Sequence, residues 1–356
     1  MVQKLLAWFA SNARALPWRQ THHPYPIWVS EIMLQQTQVK TVLPYWERWM
    51  KTLSTVQELA EAPIDTILKL WEGLGYYSRV RNLQKAAQVI VRESNGLFPD
   101  TVAGWLALPG IGRYTAGAIC SIAFDQPVPV LDGNVVRVLC RYFGYRQDPK
   151  NTLVNRKLWK QAENLVQQAK SSSLERPCAA FNQSLMELGA LICRAQNPLC
   201  PSCPLKEDCK AFRDNKVHLI PATSNKPKNV RQYWTCWILV HRGHFLIRRR
   251  ETERINRGLW EFPTVVTYEK PKEGSPLYPK EWSFQLHDIK CVGNLQHNIT
   301  NHRIHIRLCQ ASVFEMPIRG NDAIWKTFAE LILLPWSGAH RKIVKMIEQG
   351  RIALKS

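Results

Sequence analysis

Apolar side chains recur three and four positions apart through most of the first 214 residues, which predicts helices rather than strands. The clearest runs are VKTVLPYWERWMKTL (39–53), PIDTILKLWEGL (63–74), SRVRNLQKAAQVIVRES (78–94) and NTLVNRKLWKQAENLVQQ (151–168). The opening MVQKLLAWFASNARALPW has the same amphipathic spacing. Asp65, Asp100 and Thr101 stand where helix N-caps help, and Gly96 ends a helix before Phe98-Pro99. Residues 216–231 have no period and two prolines, and read as a linker. Beyond them the period changes. YWTCWILV and HFLIRRR are strand-like and joined by His241-Arg242-Gly243, a hairpin signal. SFQLHDIKCVGNL and HRIHIRLCQASVF read as further strands and SGAHRKIVKMIEQ as a closing helix. The pattern predicts an all-helical domain followed by a smaller α+β domain.

Composition adds a charge argument. The 356 residues carry 48 Lys and Arg against 28 Asp and Glu, a formal charge of +20. That excess favours a polyanionic partner, nucleic acid before an anionic membrane surface. No apolar run approaches the ~20 residues of a membrane span. The N-terminus lacks a secretory cleavage pattern, so a cytoplasmic location is expected.

Of the ten cysteines, six are scattered through apolar segments and four crowd into 17 residues: Cys193, Cys200, Cys203 and Cys209, spaced C-x6-C-x2-C-x5-C. Four thiolates this close suit one tetrahedral zinc or a cubane iron–sulfur cluster, and spacing alone leaves both open. In LPGIGRYTAGAI (108–119), Gly110 and Gly112 permit a tight turn, and the helix after them presents free N–H groups and its positive end. This suits a DNA phosphate held by main-chain donors; a plain helix–turn–helix connection would use the same glycines.

Two carboxylates stand out. Glu31 lies in YPIWVSEIMLQQT, a segment apolar on nearly every face. Burial raises the pKa of such an acid and fits it for general-acid work near neutral pH; a structural Glu satisfied by a backbone donor is the plainer reading. Asp132, in VPVLDGNVVRV, is well placed as a helix N-cap.

The hairpin, the run VLDGNVVRVL and the four-cysteine loop, in that order, resemble the helix–hairpin–helix DNA glycosylases that carry an iron–sulfur cluster. WVSEIMLQQTQV, GLGYYSRVRNL and FNQSLMELGALIC narrow the resemblance to the adenine-removing (MutY) branch. The resemblance implies a mainly α catalytic region over 1–215, holding a helix–hairpin–helix subdomain and a cluster subdomain with its loop at 193–209. A nudix-like α+β domain follows over 232–356. It implies one [4Fe–4S] cluster on the four cysteines. Glu31 would protonate adenine and assist a water nucleophile, while Asp132 would stabilise the oxocarbenium-like sugar or its covalent adduct. Tyr114 and Asn134 match positions that support this pair. Gly110, Gly112 and Arg113 would grip the duplex; Gln36 and Tyr76 would fill the gap left by the flipped adenine; Trp18 and Arg19 would line its pocket.

The stretch RRRETERINRGLWEFP resembles a nudix opening, but no paired-glutamate box follows, so pyrophosphatase activity is not expected. Where the family reads 8-oxoguanine through Phe-Ser-His, this chain has Ile299-Thr300-Asn301, which keeps a hydroxyl and loses the other two groups. The expected substrate is duplex DNA with adenine opposite 8-oxoguanine or guanine, acted on by a monomer with no membrane partner; a sliding-clamp contact stays open. The alternatives are an endonuclease III-like glycosylase/lyase and a damage-binding protein without chemistry. Lyase chemistry needs an amine at the sugar. Tyr114 stands where those lyases carry Lys, and Val136 where some adenine glycosylases do.

Overall fold

The computed structural model describes residues 1–222, 229–250, 256–271, 277–278, 282, 285–314 and 323–352. Part of the linker reading (223–228), part of the nudix-like opening (251–255) and the first two residues of the SFQLHDIKCVGNL strand lie outside the described residues. The chain divides into two compact units, residues 1–61 with 82–225, and residues 62–81 with 226–356. Residues 62–81, counted above with the helical domain, therefore group with the C-terminal unit.

In the first unit the helices are α1 (Val2–Asn12), α2 (Pro24–Leu34), α3 (Val39–Thr52) and α4 (Val56–Glu61). Helix α5 (Ile64–Leu70) belongs to the second unit, and α6 (Ser78–Ser94) runs from the second into the first. After them come α7 (Val102–Leu106), α8 (Arg113–Phe124), α9 (Gly133–Phe143), α10 (Thr152–Lys170), α11 (Pro177–Leu191) and α12 (Lys210–Arg213). Two helices are buried on almost every face, α2 and α8, as their continuous apolar sequences require. Tyr25, Trp28, Phe98 and Trp105 pack ring on ring beside α2, with Trp28 and Trp105 centroids 5.5 Å apart. This aromatic packing fixes the helix that carries Glu31.

Local capping separates two of the predicted caps. Thr101 caps α7, its hydroxyl accepting from Gly104 N at 3.2 Å. Asp65 lies inside the first turn of α5 and instead accepts from the Arg249 guanidinium at 2.6 Å.

The second unit holds a mixed sheet of β1 (Val230–His241), β2 (His244–Arg249), β3 (Trp260–Glu261), β4 (Thr264–Thr267), β5 (His287–Ile299), β6 (His302–Ser312) and β7 (Ala323–Thr327). Its order is β3-β2-β1-β6-β5, with β4 on β1 and β7 on β2. β1 and β6 run parallel and the other pairs antiparallel. Two further helices, α13 (Phe328–Leu333) and α14 (Gly338–Glu348), follow. Even-numbered residues of β1 and β6, such as Trp234, Ile238, Ile304 and Ile306, form one core with Ile343 and Ile347 of α14. The β1–β2 turn has Arg242 and Gly243 at φ +45° and +75°, as a two-residue hairpin of this kind requires.

Candidate active site and cysteine pocket

Glu31 is 5% exposed, on the buried helix α2. The Tyr114 hydroxyl, from the first turn of α8, donates to Glu31 Oε2 at 2.6 Å. Burial pushes the Glu31 carboxyl up to about 7; the Tyr114 hydrogen bond lowers it, the charge of Asp132 raises it, and Arg19 lowers it. Near neutral pH the group is thus divided between acid and base, as a proton carrier must be. The same surroundings drive Tyr114 well above the ordinary tyrosine value, burial first and then the Glu31 and Asp132 charges, so its hydroxyl stays protonated as a donor.

Asp132 is the N-cap of α9, its Oδ1 accepting from Val135 N at 2.7 Å. Its Oδ2 accepts from the Asn134 amide at 3.1 Å, and Asn134 Oδ1 accepts from Arg137 at 2.8 Å. Burial raises the Asp132 pKa, against the hydrogen bonds from Val135 and Asn134. The structure therefore brings Glu31, Tyr114, Asp132 and Asn134 together, and Asp132 caps α9 while it stands beside them.

The glycine hairpin divides its labour. Gly110 has φ +77°, and a Cβ there would come within 2.5 Å of Asn82 Cβ, so the turn itself demands glycine. Gly112 has φ −100° and open space beside it; nothing inside the protein requires it, and its bare backbone heads α8. The Arg113 guanidinium stacks on Trp159 of α10, 3.8 Å from the ring centroid, beside Arg156 and Lys160.

Cys193 follows α11, Cys200 opens a short 3-10 turn that Cys203 closes as its C-cap, and Cys209 is the N-cap of α12. Together they line one pocket with Ile192, Phe212, Arg141 and Lys206. Burial raises the Cys200, Cys203 and Cys209 thiols, Cys203 to about 11, and the neighbouring cysteines raise them further. Opposing this, the Leu205 N–H donates to Cys203, and the Phe212 and Ala211 N–H groups donate to Cys209. Arg141, 3% exposed, donates to Cys193 Sγ at 3.4 Å. Among the described residues no three His, Cys, Asp or Glu side chains converge closely enough for one metal ion.

Comparison with known proteins decides the family. Residues 29–164 match the HhH-GPD superfamily of base excision DNA repair proteins, and residues 235–346 match the NUDIX domain. The adenine DNA glycosylase of Buchnera aphidicola subsp. Baizongia pistaciae is 40% identical over 269 residues, covering 74% of this chain and 73% of that protein. The Mus musculus adenine DNA glycosylase is 34% identical over 406 residues, covering 98% of this chain and 78% of its own. The chain belongs to the adenine DNA glycosylase family. A solved thermostable thymine-DNA glycosylase shares the fold of the helical part, with TM-score 0.53 and 29% identity, over 60% of this chain and 95% of its own.

The remaining predicted residues of this adenine glycosylase family member have varied surroundings. Gln36 (φ +57°), Tyr76 (φ +49°) and Thr300 (φ +51°) all adopt the left-handed backbone that non-glycine residues avoid. Such strain persists where the surroundings impose it, and functional sites are where it concentrates. Tyr76 is 47% exposed, and Gln36 and Thr300 are exposed as well. Thr300 and Asn301 form the two-residue turn between β5 and β6, with the Thr300 hydroxyl donating to Ile299 O at 2.7 Å. Trp18 is buried edge-on against Trp46, centroids 5.8 Å apart, as core packing would have it.

Arg19 belongs to a network that no motif announced. It donates to Gln183 Oε1 at 3.0 Å and to Glu187 Oε2 at 3.0 Å, while Arg14 donates to Glu187 Oε2 at 2.7 Å. The Glu187 side chain is 1% exposed. Burial would raise it, but the two arginines hold it down at about 2. Glu187→Ala strands two guanidinium groups in a poorly solvated place, a loss expected to cost about 3–5 kcal/mol. Urea unfolding measures it; a change below ~1 kcal/mol would mean that water replaces the carboxylate without penalty.

Proposed function

We propose that the protein hydrolyses the N-glycosidic bond of adenine mispaired with 8-oxoguanine, or with guanine, in double-stranded DNA, leaving the strand uncut. The observation that carries the chemistry is the short hydrogen bond from Tyr114 to a buried Glu31 whose proton is poised near pH 7. The adenine leaves the helical stack to reach it. Protonated Glu31 gives its proton to the purine ring, which makes neutral adenine the leaving group. The resulting carboxylate then takes a proton from the attacking water. Asp132, held by Val135 and Asn134, keeps its negative charge beside the sugar and stabilises the cation that develops there. Tyr114 holds the Glu31 carboxylate in one orientation.

In the same reading residues 1–215 carry the catalysis and 232–356 read the lesion. Gly112, its bare backbone open to solvent, and Arg113 hold a phosphate; Gln36 and Tyr76 fill the vacated stack; Thr300 and Asn301 meet the base opposite. With Tyr114 and Val136 at the positions where related lyases and some family members carry lysine, the chain has no amine there to form an imine.

The four cysteines fit a [4Fe–4S] cluster. Their pocket is walled by apolar side chains, supplies N–H donors to sulfur, and has Arg141 and Lys206 to offset thiolate charge. Such a cluster would tie α11, α12 and the loop between them into a basic surface. Protein purified without oxygen is expected to absorb broadly in the visible; colourless protein with stoichiometric zinc refutes the assignment.

The deciding experiment incubates the protein with a duplex holding adenine opposite 8-oxoguanine. Free adenine and an abasic strand that breaks only on hot alkali are expected. A strand cut without alkali, trapped by borohydride as an imine, would overturn the reading, and so would binding without adenine release.

A further inference from the structure

Two of the six cysteines outside the four-cysteine pocket meet. Cys291 of β5 and Cys309 of β6 are direct cross-strand partners, with their sulfurs 3.7 Å apart. Opposed residues of an antiparallel pair have Cα atoms about 4.5–5.5 Å apart, a separation that a disulfide bridges. Bonded sulfurs sit at about 2.05 Å, so a turn about the two Cα–Cβ bonds closes the gap. The ladder around Cys291 is irregular as well. β5 ends the strand order of the sheet. Its register against β6 shifts on both sides of Cys291, between His287 and Lys290 and between Cys291 and Gly293. Such bulges interrupt the ladder and re-aim side chains.

The two sulfurs are unequal. Cys291 is exposed, whereas Cys309 is buried in an apolar cluster with Trp237, Leu239 and Leu246. Burial raises the Cys309 thiol; the charge of Cys291 and the hydrogen bond between the sulfurs raise it further, and Arg307 opposes them. A dissolved reagent therefore meets Cys291, and Cys309 lies within reach of what forms there. The other four, Cys120, Cys140, Cys178 and Cys236, are buried.

We infer that Cys291 and Cys309 form a reversible thiol–disulfide site, oxidised by a small soluble disulfide such as glutathione disulfide. The Cys291 thiol gives its proton to solvent, and its thiolate attacks one sulfur of the oxidant. The oxidant's S–S bond breaks, a mixed disulfide forms on Cys291, and one glutathione thiolate leaves. Cys291 then carries no charge and no S–H, so two of the influences that raised Cys309 are gone. Cys309 loses its proton to solvent, attacks the Cys291 sulfur and displaces the second glutathione thiolate. Both leaving thiolates take up protons. The pair has lost two electrons, and the oxidant has become two thiols. The new bond closes a loop around the β5–β6 turn at Thr300 and Asn301. This chemistry is separate from glycosidic cleavage and does not depend on it.

Trypsin parts the two cysteines, cutting after Lys290, Arg303, Arg307 and Arg319. The test incubates the full chain with glutathione disulfide, quenches with acid and N-ethylmaleimide, and maps the peptides by mass. Peptides 291–303 and 308–319 are expected joined, lighter by two hydrogens than their sum and parted by dithiothreitol. Cys309→Ala should hold glutathione trapped on Cys291, and Cys291→Ser should leave Cys309 a free thiol. Melting establishes that both variants fold. Without oxidant, N-ethylmaleimide should label Cys291 of the wild type roughly tenfold or more faster than Cys309, a readout that needs no variant. Two free thiols after exposure to the oxidant overturn the inference, and so does glutathione that stays on Cys291 of the wild type. Equal labelling rates overturn the order of attack.

Discussion

Replacing Glu31 with Gln removes adenine release and stabilises the protein. A Gln cannot donate a proton to the purine ring, so single-turnover excision from an A:8-oxoguanine duplex is expected to fall by about 10²–10⁴-fold. Affinity for the duplex stays, because the amide keeps the size of the acid and can still accept from Tyr114. The stability effect has a sign that follows from protonation. Folded Glu31 keeps its proton to about 7, whereas the unfolded chain releases it near 4.5. Between those pH values the folded state binds more protons, so the wild type loses stability as pH rises, by up to about 3 kcal/mol. Below pH 4.5 both states are protonated and the penalty vanishes. The variant escapes it altogether. The gap between variant and wild type should open from pH 4.5 to 7 and level off above, measured by urea unfolding across that range. A normal excision rate would refute the acid role, and a gap independent of pH would refute the buried, poised carboxyl.

Asp132→Asn separates the two duties of one residue. Asn caps helices as well as Asp, so the melting temperature of the variant should stay within a few degrees of the wild type. The charge we propose to face the developing sugar cation is lost, however, and excision is expected to slow by about 10²–10³-fold with duplex affinity little changed. Asp132→Ala removes cap and charge together and adds about 1 kcal/mol of instability to the same kinetic loss. If Asn preserved the rate, the negative charge would have no part in the chemistry and Asp132 would be a cap alone.

What the sequence made legible was local. The helical period over 39–53 and 78–94, the demand for glycine at 110 and the cap at Asp132 each depend on residues a few positions apart, and each is found in the structure. Glu31 was conspicuous because an acid inside a wholly apolar helix has few explanations. The Arg14–Arg19–Glu187 network was not legible, since its partners lie 168 and 173 residues apart and leave no periodic trace. Trp159 beneath Arg113 was hidden for the same reason: on α10 it reads as one more apolar position. The left-handed backbone at Gln36, Tyr76 and Thr300 was equally silent, because sequence offers glycine as the sign of that conformation and none of the three is glycine.

The grouping of residues 62–81 with 226–356 governs how the chain is born. Glu72 is buried, and its carboxylate accepts from Trp336 N at 2.8 Å across 264 residues. Asp65 waits in the same way for Arg249, 184 residues on. A ribosome extends the chain at roughly 5–20 residues per second, so α5 emerges many seconds before its partners exist. During that interval Glu72 lacks the Trp336 N–H and Asp65 lacks the Arg249 guanidinium. A chain ending before Trp336 has no such donor for Glu72, which makes the last strands and helices the part that completes hydrogen bonds begun near residue 62.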